Sequence, residues 1–226
     1  MSKPTAAGAK SIEELKAELI ASLARGPLSY EERQAKLSET HQLALQGDPE
    51  EQRELGSIYY RGADVEQDYA EAAKWFRKAA EQGDAFAQDS LGDMYFRGRG
   101  VPLDFAEGLY WTRKSAEQNV DEAQWTLINV YYYGHGVPQD YAEAAKWVRQ
   151  GAEQGCPGAQ ELFGDMHYFG QGVAQDYAEA ARLFQEAAKQ GNQSAHERLD
   201  DMYRNGLIQH RPQCEDESGS TDSVAG

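Results

Sequence analysis

The chain has 226 residues, 27% of them charged, and a formal net charge of −16 at pH 7. Nucleic acid and anionic membrane surfaces both select a basic footprint, so this balance argues against them, while it suits solubility and a basic partner. No run approaches the ~18 apolar residues of a membrane span, and Cys156 and Cys214 form neither a metal spacing nor a disulfide framework.

Residues 1–10 read as a disordered lead. They hold no apolar h-region, so no secretory signal is visible and a reducing, cytoplasmic setting fits best. Ser11 with Glu14 forms a capping box, and Ile12, Leu15, Leu19 and Leu23 make a helical stripe that Gly26-Pro27 breaks. Ser29 with Glu32 opens a second helix, continued by Leu37, Ala44 and Leu45. Residues 11–46 thus form a degenerate N-terminal capping repeat.

Four full repeats follow, 47–82, 83–118, 119–154 and 155–190. Asp68, Asp104, Asp140 and Asp176 mark a step of 36 residues, and a fixed period decides the architecture. The first half of each unit is a helix that stops at Gly62, Gly98, Gly134 or Gly170. A short loop follows, with Val65, Val101, Val137 or Val173 as its apolar anchor and Pro102 or Pro138 to stop the helix. The second half is the run DYAEAAKWVRQGAEQ or a near-copy of it. Its opening Asp is a helix cap, and the Glu three residues on can reach back. Tyr141, Ala144, Ala145, Val148 and Ala152 line one face. Gly83, Asn119, Gly155 and Gly191 close these helices in a left-handed conformation. Gly56, Gly92 and Gly164 recur inside the first helix, where Gly costs ~1 kcal/mol against Ala, so a close helix contact must offset them. Residues 191–210 supply one more first helix as a C-terminal cap, with Leu199, Met202 and Tyr203 at core spacing. The acidic tail 211–226 lacks a hydrophobic stripe and reads as disordered.

These residues resemble the Sel1-like repeat family, a relative of the tetratricopeptide repeats. Ala87, Leu91, Gly92, Tyr95, Gly98, Gly100, Val101, Asp104, Trp111 and Ala116 follow its motif in order, and the fourth unit follows it again from Ala159 to Gly191. The departures are local: Asp64 for the second loop Gly, Ile128 and Asp200 for the helix Gly, His167 for the Tyr and Leu183 for the Trp. The resemblance implies an all-α, right-handed α-α superhelix, a solenoid of 36-residue helix-turn-helix repeats. Its first helices would line a concave groove that binds a protein or peptide. The expected role is a non-enzymatic adaptor or scaffold. The alternatives are an immunity protein that neutralises a toxic effector and, as a minor one, an enzyme. Caps at both ends favour a monomer.

Columns that hold one residue type are packing, as for the column shared by Trp75, Trp111 and Trp147. The outward columns of the first helices are the candidate site. They hold Arg53, Asp89, Trp125, Glu161 and Glu197, then Ser57, Asp93, Asn129, Asp165 and Asp201. The pairs before the loop are Tyr60–Arg61, Phe96–Arg97, Tyr132–Tyr133, Tyr168–Phe169 and Arg204–Asn205, and Phe86 joins them. Trp125 stands out, because no other repeat has an aromatic in its column, and aromatics dominate interface hot spots. Asp93, Asp165 and Asp201 offer carboxylates to a basic partner. No nucleophile–base arrangement, phosphate-cradling loop or metal-ligand spacing among the five His emerges, so no catalytic residue, cofactor or metal is assigned.

Overall fold

The computed structural model describes residues 29–209, which contain ten helices and no strand. In chain order these are α1 (Tyr30–Gln46), α2 (Pro49–Arg61), α3 (Tyr69–Glu81), α4 (Ala85–Arg97), α5 (Phe105–Ala116), α6 (Asp121–Tyr133), α7 (Tyr141–Glu153), α8 (Pro157–Phe169), α9 (Tyr177–Lys189) and α10 (Gln193–Arg204). The expected helix before Gly26, the acidic tail and Cys214 lie outside the described residues.

Each helix packs on its neighbours in sequence, two for every helix but α1 and α10, so the described residues form a stack of α-hairpins, an all-helical repeat fold. One hairpin cannot bury its apolar face alone, and the core is accordingly divided into clusters shared between adjacent repeats. Leu55, Leu91 and Leu127 and the tryptophans Trp75, Trp111 and Trp147 are all buried.

The local signals act as expected. Asp68, Asp104, Asp140 and Asp176 cap α3, α5, α7 and α9 through side-chain oxygens that accept backbone N–H groups. The reciprocal arm is absent from α7: Glu143 turns to Lys146 and Arg113 instead. Only Ser29 and Glu32, at the start of α1, make the full box among the described residues. Gly164 explains its column, because a Cβ there would lie 2.6 Å from the Phe184 ring, so the absent side chain lets α8 and α9 close up.

The second loop glycine is more than a helix stop. Gly100 has φ +68°, and a Cβ on it would sit 2.1 Å from the Tyr69 carbonyl oxygen of the preceding repeat. Gly172 meets Tyr141 in the same way. Where Asp64 replaces this glycine, Arg33 of α1 pairs with it at 2.8 Å. A glutamine column also ties the repeats. Gln52, Gln88, Gln124 and Gln160 are buried, and each donates to the last turn of the preceding helix, at Ala44, Ala80, Ala116 and Ala152. Their identity in all four repeats was visible in the sequence; their burial was not.

Leu45, which continues the α1 pattern, and Tyr203, expected at core spacing, both face solvent. Leu45 is 63% exposed, and in α1 Thr40 and Ala44 are the buried residues. Tyr203 is 44% exposed. Its counterparts Tyr95 and Tyr131 receive hydrogen bonds from Arg77 and Arg113, whereas the residue equivalent to those arginines in the fourth repeat is Gln185.

Candidate protein-binding face

The first helices α2, α4, α6 and α8 turn one stripe to the second helix of their repeat, α10 turns its stripe to α9, and the remaining positions meet along a common face. Along this face, contacts join residues 31 or 33 apart rather than 36. Arg53 pairs with Asp84 at 3.1 Å and lies over the Phe86 ring at 5.7 Å. Trp125 covers Gly158. Glu161 accepts from Asn192 and Ser194. Asp165 pairs with Arg198 at 3.2 Å, and the same guanidinium lies over Phe169 at 5.9 Å.

The aromatic column Tyr60, Phe96, Tyr132 and Tyr168 does not stand free in the groove. These half-buried rings pack on Tyr69, Phe105, Tyr141 and Tyr177 at the start of their own second helices, 5.0–6.0 Å between centroids. Two hydroxyls reach the next loop: Arg99 donates to Tyr60, and Tyr132 donates to Gln171. The physical reason is direction: these side chains lean toward the helix N-terminus and over the partner helix. Burial raises the pKa of Tyr132.

Most of the carboxylates are already satisfied within the chain. Asp93 pairs with Arg97 and Asp201 with Arg204, each within one helix, and Asp165 is taken by Arg198. Burial pushes Asp165 up, and Arg198 opposes that shift. Asp89 differs. It is half-buried on α4, faces Glu122 of α6 and Asp93 of its own helix, and among the described residues no cation pairs with it. Burial first, then those two carboxylates, raise its pKa to about 6.

Trp125 is half-buried, and with Asp121, Gln124, Gly155 and Cys156 it lines an open cleft of about 280 Å³. Cys156 caps α8 without a side-chain hydrogen bond and is a free thiol. Phe86, Tyr133 and Phe169 are the exposed aromatics of the face, at 59%, 60% and 52%. Tyr133 stacks on the exposed His135. Arg61, Asn129 and Arg204 are exposed at its margin. Among the described residues no group of His, Cys, Asp or Glu gathers as metal ligands, and no helix is long and apolar enough to cross a membrane.

A family model described as Sel1 repeat matches residues 52–84, 85–120, 129–156 and 157–192. Among solved structures, a protective antigen of uropathogenic Escherichia coli with an SLR fold is 40% identical, with a TM-score of 0.71 over 78% of this chain and 38% of its own. A Sel1 repeat protein from Oxalobacter formigenes is 31% identical, with a TM-score of 0.70 over 80% of this chain and 53% of its own. The chain thus spans well under two thirds of either relative. No curated protein matches the sequence.

Proposed function

This chain belongs to the Sel1 repeat family, and from that premise we propose that it binds a basic segment of a protein partner along the face of its first helices. Sel1 repeat proteins are generally protein-interaction scaffolds and typically non-catalytic. The finer reading, a basic segment held on the concave side, rests on one observation. Twice on this face an arginine lies across a phenylalanine and pairs with an aspartate: Arg53 with Phe86 and Asp84, Arg198 with Phe169 and Asp165. Between them, at the junction of α4 and α6, Asp89 and Glu122 stand together with no such arginine. A guanidinium or ammonium from a partner completes that junction, with Trp125 and Tyr133 as flanking aromatic anchors. A stacked, rigid face loses little entropy on binding, so few anchors suffice.

The test is affinity capture from the native cell extract with wild type, Asp89→Lys and Trp125→Ala. A protein held by the wild type, lost with Asp89→Lys and released by salt supports the reading. The same proteins captured by all three variants, independent of salt, would refute it.

A further inference from the structure

The fourth repeat departs from the other three at columns that converge on one spot. Phe163 stands where they have Leu55, Leu91 and Leu127; His167 replaces the tyrosine; Leu183 replaces the tryptophan. In the earlier repeats Arg77 and Arg113 donate to the hydroxyls of Tyr95 and Tyr131. The equivalent Arg149 finds an imidazole there and lies over the Phe163 ring at 5.5 Å. His167 packs against that ring at 4.8 Å, and its buried Nδ1 has no hydrogen-bond partner among the described residues. Beside them opens a cleft of about 630 Å³ between α7, α8 and α9, lined by Arg149, Phe163, His167, Glu179, Arg182 and Leu183.

The other repeats show what this place holds. There an indole fills it, 4–8% exposed; the Trp111 N–H donates to Glu107 at 3.0 Å, whereas the buried N–H groups of Trp75 and Trp147 have no partner among the described residues. Glu179 occupies the Glu107 column and lines the cleft; with Leu183 in place of the indole, its two oxygens accept from Arg182 at 2.8 and 2.6 Å. Residues 1–28 and 210–226 contain no Phe, Tyr or Trp to fill it. A second copy cannot supply an indole either: Trp75, Trp111 and Trp147 are buried and Trp125 is half-buried. Four carboxylates (Glu153, Asp176, Glu179 and Glu186) line the cleft against two arginines, so its charge favours a cationic visitor.

We propose that this cleft takes the indole of a tryptophan flanked by lysine or arginine on a protein partner, with the indole N–H sharing the Glu179 carboxylate with Arg182. It is a second site, on the α7–α9 side of the stack rather than on the first-helix face. The probe is acetyl-Lys-Trp-Lys-amide, titrated into the ¹⁵N-labelled full chain and followed by amide shifts. The expected result is saturable shifts around Phe163, His167 and Leu183, with a dissociation constant on the order of a millimolar for so small a ligand. Acetyl-Lys-Ala-Lys-amide should produce none.

The double variant Phe163→Leu/Leu183→Trp restores the pair that the other repeats carry and should abolish the shifts. Trp125→Ala should keep them, which separates this site from the first-helix face. His167→Tyr, which rebuilds the arginine–tyrosine contact, should weaken binding by at least about tenfold; it decides the matter by itself if the double variant does not fold. Absence of saturable shifts in the wild type, equal shifts with the alanine peptide, or unchanged binding in His167→Tyr would overturn the proposal.

Discussion

Replacing Asp89 with Asn should stabilise the protein at neutral pH and leave it unchanged in acid. The carboxyl is held at about 6, above its ordinary 3.8, by burial and by Asp93 and Glu122. A raised folded-state pKa means that the fold binds the proton more tightly than the unfolded chain does. Stability therefore falls as pH rises from about 4 through about 6, and the loss is complete above that window. Displacement by about two powers of ten is worth ~3 kcal/mol for a fully sheltered group. Asp89 is only partly sheltered and its neighbours face solvent, so screening brings the expected cost to about 1–2 kcal/mol. Asn keeps the shape and removes the charge. Urea unfolding followed by helical circular dichroism at pH 4, 6 and 8 in low salt measures the difference. The expected gain for Asp89→Asn is about 1–2 kcal/mol at pH 8, shrinking to nothing near pH 4, with an unchanged denaturant slope. Equal stability at pH 8, or a gain that grows toward acid, would refute the assignment of an uncompensated carboxylate at this junction. The same residue links stability to binding: a partner cation beside Asp89 should expel its proton, so association near pH 6 should release protons to the buffer.

Three further outcomes follow from the geometry. Gly100→Ala should cost about 2–4 kcal/mol, because strain at φ +68° adds to a clash with the Tyr69 carbonyl. Gly83→Ala, at φ +98° with nothing within 4 Å, should cost only about 1 kcal/mol; thermal unfolding of the pair checks the contrast. Tyr60→Phe removes the hydrogen bond from Arg99 but keeps the ring, as Phe96 does naturally, and should cost about 0.5–1.5 kcal/mol in urea unfolding. Trp147→Ala empties a buried site and should cost about 3–5 kcal/mol. Trp125→Ala should cost well under half of that, since its half-buried ring lies across Gly158 beside an open cleft, and its larger effect should be on partner capture.

Much of this molecule is legible in its sequence. The step of 36 residues, the capping aspartates, the stop glycines and the recurrent Trp and Ala columns are local or periodic features, and a helix obeys local rules. They determined ten helices, their order and most of the core. The candidate face was legible only in part. Periodicity compares residues 36 apart, but stacking offsets each repeat so that side chains 31 or 33 apart meet: Arg53 with Asp84 and Phe86, Trp125 with Gly158, Asp165 with Arg198. That offset is a rigid-body relation between neighbouring hairpins, and no single repeat encodes it. Hence the sequence offers Asp165 as a carboxylate for a basic partner and Tyr60 as a groove aromatic, whereas the packed structure pairs the first with Arg198 and lays the second on Tyr69. His167 and Leu183 were each visible as departures, but a cleft is a property of volumes left over after packing. Only the tertiary structure, where Phe163, His167 and Leu183 share one boundary, could decide that their substitutions leave space rather than fill it.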